Sequence, residues 1–434
     1  MSIASMRREA LDLFDAAVAG ADPARALADR LPPAPQRGRV FIFAAGKAAA
    51  AMVQAAEAFY LDRAALDPRR VTGLAVTRHG YGGATRAVPI IEAGHPVPDV
   101  FGVGATDRLL SLADEAGEQD LAVFLVSGGG SANLIAPAGG VTLAQKQALT
   151  NELLRCGAPI DAINCVRKHI SRIKGGRLAA RLFPARVAAF AVSDVPGDDP
   201  TVIASGPTVP DPTTLADARA VLAHYRIAAP ASVVSALNDP ANETPKPGDP
   251  IFARSTFDIV CRPADAVAAA AERAASLGYA VENLGPDVAG EARKVAVRHA
   301  ALAIRAKQAK RKAAIISGGE LTVTIRGGGR GGPNQEYALA LAVALSGERN
   351  IVALACDTDG TDGGQGLASD PAGALIDPRT LTRARANGCD AAAHLADNDS
   401  TRFFAATGDL VVTGPTRTNA NDIRVILVDP DAAE

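Results

Sequence analysis

Short β-rich apolar runs alternate with longer alanine-rich segments of helical period along most of this 434-residue chain, and that alternation constrains its fold more than any other feature. A strand followed by a helix before the next strand builds βα units, and such units assemble into a largely parallel sheet with helices on its faces. The pattern places strands over 40–44, 74–77, 89–92, 121–126 and 187–192, with helices over 48–60, 106–113, 143–156 and 161–182. The tract 237–250, LNDPANETPKPGDP, is too rich in Pro, Asn, Asp and Gly to continue a helix or a central strand, and reads as a link. A second βα series follows, with strands over 259–262, 280–283, 313–317, 351–355 and 423–428, helices over 264–276, 289–307 and 334–345, and 321–325 as a hairpin partner. At about 150 residues per domain the length suits two α/β domains. They are expected over 1–238 and 251–434, joined by 239–250.

Bulk properties exclude several classes of function. A formal charge of −2 lacks the basic excess of a broad nucleic-acid surface. The five cysteines, Cys156, Cys165, Cys261, Cys356 and Cys389, are scattered and form no CxxC, so neither a zinc ribbon nor a disulfide framework is expected. The first 20 residues carry Arg7, Arg8, Glu9 and Asp12 among their apolar positions, unlike a signal peptide. No apolar run approaches the roughly 20 residues that span a bilayer. A cytoplasmic protein with reduced thiols and no membrane partner is expected.

The chemistry gathers where strands end. In open α/β sheets ligands bind beyond the carboxyl ends of the strands. The first strand runs into Ala45-Gly46-Lys47, the fourth into Ser127-Gly128-Gly129-Gly130-Ser131, and the fifth into Ser193-Asp194 and VPGDDPTVIASGPT. In the second half, strands run into Gly318-Gly319-Glu320 and into CDTDGTDGGQG. Lys47, at a strand-to-helix turn, stands where backbone N–H groups and a helix dipole favour phosphate; a solvated surface lysine is the alternative. The segment is no Walker A loop, since its first glycine is missing and Ala48 replaces Ser or Thr. SGGGS lets backbone amides approach an anion closely, or is a flexible turn. It is not a nucleophile elbow, because Asn133 occupies the place of the last glycine. The acidic clusters around Asp194 and around Asp357 and Asp362 carry the oxygen ligands that Mg²⁺ prefers, although a single Asp on a loop is more commonly a cap. An EF-hand is excluded at Asp357, with Asp362 at its sixth position and Ala368 at its twelfth.

Gly327, Gly329 and Gly332 satisfy G-x-G-x-x-G, and Asp357 follows at about the distance of a ribose contact. This points to a nicotinamide cofactor. Arg330 inside the fingerprint, and the string of acids and glycines after Asp357, suit phosphoryl transfer better. INCVRKHISRIKGGRL reads as one helix with Ile163, Val166, Ile170 and Ile173 buried. Lys168, His169 and Arg172 then form a solvated basic face, or alternatively a field that steers an acidic substrate.

FAAGKAA, VSGGGSA, INCVRKHISRIKGGRLA, SDVPGDDPTVIASGPT, SGGELTVTIRGGGRGGPNQE and DTDGTDG, in this order and over nearly the whole chain, resemble the glycerate 2-kinase family. Members of that family have often been labelled hydroxypyruvate reductases. The resemblance implies a Rossmann-like N-terminal domain with a mostly parallel sheet flanked by helices, a MOFRL-type C-terminal domain, and an active site in the cleft between them. It implies ATP- and Mg²⁺-dependent phosphorylation of D-glycerate to 2-phospho-D-glycerate, with Lys47 and Arg330 matching the family's functional lysine and arginine. Under this reading Lys47 and Arg330 neutralise the phosphoryl group in transit. Asp194 takes the 2-hydroxyl proton or ligates the metal, and Asp357 and Asp362 help to place the metal. Ser127, Gly128, Gly129, Gly130, Ser131, Asn133, Gly318, Gly319, Glu320 and Asn334 contact substrate or phosphate, the SGGGS loop taking the glycerate carboxylate. The partners are small molecules, the chain being a monomer or homodimer. An NADH-dependent reductase of hydroxypyruvate is the competing reading, and a non-catalytic metabolite-binding regulator a third.

Overall fold

The computed structural model describes residues 2–364 and 367–433; Gln365 and Gly366, at the end of the second acidic loop, lie outside it. The chain forms two compact units. One, the N-unit, is Pro23–Val260; the other, the C-unit, joins the residues up to Asp22 with those from Cys261 onward. This division differs from the expected one at both ends. The first helix, Ile3–Gly20, buries Met6, Ala10, Leu13, Phe14 and Ala17 in a core shared with Ala266, Val267, Ala270 and Ala274 of the helix Pro263–Ser276. Small residues let the two helices touch, since a Cβ on Gly20 would lie 2.4 Å from that of Ala269. The Pro-rich tract belongs to the N-unit because its polar groups are used there: Thr244 Oγ1 donates to Asp211 Oδ2 (3.1 Å), and Asp211 N donates to Pro245 O (2.9 Å).

The N-unit sheet contains β1 (Val40–Ala45), β2 (Val71–Arg78), β3 (Ile90–Ala93), β4 (Leu121–Val126), β5 (Arg186–Val192) and β6 (Ser255–Cys261), in the order β3-β2-β1-β4-β5-β6. Strands β1 to β5 pair in parallel. All six residues of β1 and of β4 are buried, as both faces of a helix-covered sheet require. The strand order reverses between β1 and β4, and that switch point opens the crevice where doubly wound sheets bind ligands.

The C-unit contains β7 (Ala280–Asn283), β8 (Gly290–Glu291), β9 (Ala313–Gly318), β10 (Leu321–Thr322), β11 (Ile351–Asp357), β12 (Gly373–Ile376), β13 (Leu410–Val411) and β14 (Asp422–Val428). Its main sheet has the order β13-β12-β11-β14-β9-β7, and only β7 and β9 pair in parallel. The second βα series is therefore not a parallel sheet. The last strand, β14, inserts antiparallel between β9 and β11, which a count of βα units along the chain does not reveal. One result is that the ends of β9 and β11 and the start of β14 share an edge, with Gly318 opposite Ile423 and Asp357 opposite Asp422. The expected hairpin is also absent: β10 pairs in parallel with β8.

The basic helix is broken as well. It runs over Ile160–His169, leaves helical geometry at Ile170, and resumes over Arg177–Leu182. Gly175 and Gly176 between the pieces have φ of +60° and +81°, values that glycine adopts without strain. Lys168 and His169 are buried, which overturns the solvated face: Lys168 Nζ pairs with Asp211 (3.3 Å), and His169 meets Cys165 O (2.8 Å) and Glu243 (3.2 Å). Arg172 does lie at the surface, bonded to Asp107 and Pro137 O.

Candidate functional site

At the N-unit switch point the two loops beyond β1 and β4 are stitched together by backbone. Ser127 N donates to Ala45 O (3.0 Å), and Lys47 N to Gly128 O (2.9 Å). Ala48 N donates to Ser127 Oγ (2.9 Å). Gly46, at φ +108°, has no room for a side chain, since a Cβ would lie 2.4 Å from Ser127 O. Ser127 is fully buried, and its hydroxyl oxygen accepts the Ala48 N–H bond within the junction. Gly129 (φ +86°) turns the chain into the short helix Gly130–Asn133. The N–H groups of Gly128 and Gly129 have no backbone acceptor among the described residues, whereas Gly130 N donates to Ser127 O (3.1 Å). Lys47 is half-buried beside these amides, its Cγ 3.5 Å from where a Cβ of Gly129 would stand. Two free amides with a lysine beside them make a cradle for a small anion.

Ser131, on the other side of the loop, shares a hydrogen bond with Ser205 Oγ (2.9 Å), which in turn donates to Asn164 Oδ1 (3.3 Å). Lys174 Nζ donates to Ser131 O (2.8 Å) from a fully buried position. Burial, with Arg167 and Lys146 nearby, holds its ammonium well below the usual lysine range. Asp194 is half-buried directly after β5.

Two neighbours of the cradle escape sequence reasoning. Arg78 ends β2, and His95 stands two residues beyond β3; both are at the same sheet edge as Lys47, in segments of no distinctive composition. Applying the strand-end rule to every strand would have found them. Burial first, then the charges of Lys47 and Arg78, push the His95 imidazole down to about 3, so it is neutral near pH 7.

In the C-unit the glycine arm differs from a dinucleotide fingerprint. Its amides are already taken by a facing acidic turn: Arg326 N donates to Asn398 Oδ1 (2.7 Å), Gly328 N to Asp397 Oδ1 (3.0 Å), Gly329 N to Asp397 O (2.9 Å) and Arg330 N to Asp399 Oδ1 (3.0 Å). A pyrophosphate would have to displace these acceptors, two of them carboxylates, so the arm is unsuited to a nicotinamide cofactor. The same bonds anchor the backbone of Arg330 while its side chain is exposed.

Asp362 is another correction. It is buried, and its carboxylate accepts from Asn334 N (2.9 Å), Asn334 Nδ2 (3.2 Å), Gln335 N (2.8 Å) and Gln335 Nε2 (3.0 Å). It thus satisfies the first turn of the helix Pro333–Leu345, the role of a cap, and has no oxygen left for a metal. The Nδ2 of Asn334 is committed in turn, donating also to Asp422 Oδ1 (2.7 Å), whereas its buried Oδ1 has no hydrogen-bond partner among the described residues. Gly318 and Gly319 are buried with their carbonyls accepting from Arg424, and Glu320 beside them is exposed. Asp357, half-buried at the end of β11, accepts from Asp359 N (2.9 Å). Among the described residues no group of three or more His, Cys, Asp or Glu side chains is placed to hold a metal. A cation that keeps its waters and binds chiefly through nucleotide phosphates needs only one or two carboxylates, and a single loop carboxylate, Asp194 in the N-unit or Asp357 in the C-unit, has that donor chemistry.

Residues 9–238 match the family described as a domain of unknown function (DUF4147), and residues 313–422 match the MOFRL family. The chain is 38% identical to a D-glycerate 2-kinase of Thermotoga maritima, over 98% of this chain and 99% of that one. It is 46% identical, over 98% of its length and 95% of the relative's, to an Agrobacterium vitis protein with the provisional name hydroxypyruvate reductase. Its fold is similar to the crystal structure of glycerate kinase from Thermotoga maritima, with a TM-score of 0.84 at 37% identity over 98% of this chain and 99% of that one.

Proposed function

The chain belongs to the glycerate 2-kinase family, and from that premise we propose that it transfers the terminal phosphoryl group of ATP to the 2-hydroxyl of D-glycerate, giving 2-phospho-D-glycerate. The observation that carries this reading is the cradle at the N-unit switch point, where Gly128 and Gly129 present free amides beside Lys47. Phosphoryl transfer asks for positioning and charge neutralisation more than for covalent chemistry. Lys47 and Arg330 are cations of the right kind, one poised at the anion cradle and the other exposed on a backbone that Asp399 holds in place. Asp194 is assigned to accept the 2-hydroxyl proton or to ligate Mg²⁺; in the C-unit Asp357 is kept as a candidate metal ligand, while Asp362 is not. The cation, when bound, supplies neutralisation of the nucleotide phosphates.

The competing reductase needs a dinucleotide fingerprint, and the amides of the one available are bonded to Asp397, Asn398 and Asp399. No helix among the described residues is long and apolar enough to cross a membrane. We place the enzyme in the cytoplasm, as a monomer or homodimer. The test is ADP release with D-glycerate, ATP and Mg²⁺, with enolase added to ask whether the product is consumed directly. Oxidation of NADH by hydroxypyruvate, without ADP release, would overturn the assignment.

A further inference from the structure

Among the buried polar groups of the N-unit that lack hydrogen-bond partners, three gather near the Gly129 turn: His95 lies against that glycine, Asn133 N donates to Gly129 O (3.2 Å), and the charge of Arg78 acts on the His95 ring. Arg78 is 6% exposed with Nε unpaired; His95 has an unpaired Nδ1; Asn133, fully buried, has an unpaired Oδ1. The His95 ring lies against Gly129, its Cδ2 3.1 Å from where a Cβ would stand, with Lys47 on the same glycine. Asn133 Nδ2 donates to Gly94 O (3.3 Å), which turns its carbonyl oxygen away from that bond. Arg78 packs over the Tyr81 ring at 5.1 Å. Buried donors and acceptors are nearly always paired, so three unpaired groups in one neighbourhood mark a place completed by a ligand.

Their polarity says which ligand. A guanidinium, and a neutral imidazole that carries its proton on Nδ1, each supply a donor that suits a planar carboxylate. The amide oxygen of Asn133 can only accept, and a hydroxyl of the ligand supplies the donor it lacks. A phosphate oxygen without a proton offers it nothing. We propose that Arg78 and His95 bind the carboxylate of the acceptor substrate while Asn133 accepts from one of its hydroxyls, so that this subsite selects a small hydroxy acid. The assignment rests on the kinase reading for the identity of that acid. It leaves Lys47 and the Gly128–Gly129 amides to the phosphoryl end of the reaction, in place of the carboxylate expected on those glycines from sequence.

Calorimetric titration of the full chain with D-glycerate, glycerol, inorganic phosphate and ATP tests it, alongside steady-state kinetics. The intact protein should bind D-glycerate and not glycerol. Arg78→Met should weaken D-glycerate by about 30-fold or more, raising its KM while the KM for ATP stays within about twofold. His95→Gln, which keeps a donor and removes the ring, should weaken it less and in the same direction. A matching thermal transition establishes that each variant folds; should Arg78→Met not fold, His95→Gln carries the comparison. If the variants weaken ATP or phosphate and spare D-glycerate, the subsite belongs to the nucleotide and the proposal is overturned. Unchanged affinities overturn it too, as does failure of the intact protein to bind D-glycerate. D-glycerate binding that depends on Arg78, without ADP release, would refute the kinase reading and support the subsite.

Discussion

Replacing Asp362 by Ala separates a carboxylate that holds a helix from one that holds a metal. In the structure four N–H donors converge on it. The side-chain amides of Asn334 and Gln335 can rotate to other partners. The backbone N–H groups of the same residues cannot, because they sit in the first turn of the helix Pro333–Leu345. Two buried donors left unpaired at about 1–3 kcal/mol each give a loss of roughly 2–6 kcal/mol. Urea titration followed by far-UV circular dichroism measures this, read on the transition that Asp362→Ala displaces, since two units can unfold separately. Burial first, then the neighbouring Asp422, push the Asp362 carboxyl from 3.8 up to about 7 against its hydrogen bonds. A raised carboxyl contributes its stability below the unfolded value and loses it as pH climbs through the folded one. The intact protein should therefore lose stability between about pH 4 and pH 7, and the variant should show a shallower slope. Asp422, raised as well and for the same reason, keeps part of that slope. A loss under about 1 kcal/mol would refute the reasoning, as would Mg²⁺ alone stabilising the intact protein but not the variant.

Lys47→Ala and Arg330→Ala should each reduce turnover by about 10²-fold or more with unchanged circular dichroism; near-normal ADP release in either removes that residue from the chemistry. Gly129→Ala should cost about 1–2 kcal/mol for its φ of +86° and crowd His95, so activity should drop more than stability; an unaltered KM for both substrates would contradict the cradle. Lys168→Met strands the buried Asp211 carboxylate and should cost about 3–5 kcal/mol, whereas Arg172→Ala breaks an exposed pair worth about 1 kcal/mol or less. Equal thermal shifts in these two variants would revive the solvated basic face.

Much of the N-unit was legible in the sequence because its signals are local. Residues 121–126 are an unbroken apolar run that ends in glycines, and the observed strand has the same limits. The position of Lys47 after a strand, and the need for glycine at 129, follow from the same reading. The helical period also suggested one helix over 161–182, and it failed there for a reason no period contains. Lys168 and His169 find Asp211, Thr244 and Glu243 from distant parts of the chain, and pairing with them makes the burial of polar side chains tolerable.

Composition and spacing by themselves determined the βα architecture of the N-unit and the glycine loops at its strand ends, because each depends on neighbours within a few residues. Tertiary structure alone decided which of those loops still has hydrogen-bonding capacity. SGGGS and RGGGRGG look alike as strings of glycine. In one, the amides of Gly128 and Gly129 stay open beside Lys47; in the other, Asp397, Asn398 and Asp399 arrive from some 70 residues away and close the arm. Tertiary structure likewise placed Asp362 at a helix end, laid His95 against Gly129, and brought Arg78 and Asn133 to that same neighbourhood. An amide or a carboxylate is available to a ligand only if no part of the fold has reached it first, and that depends on contacts between segments far apart in the chain.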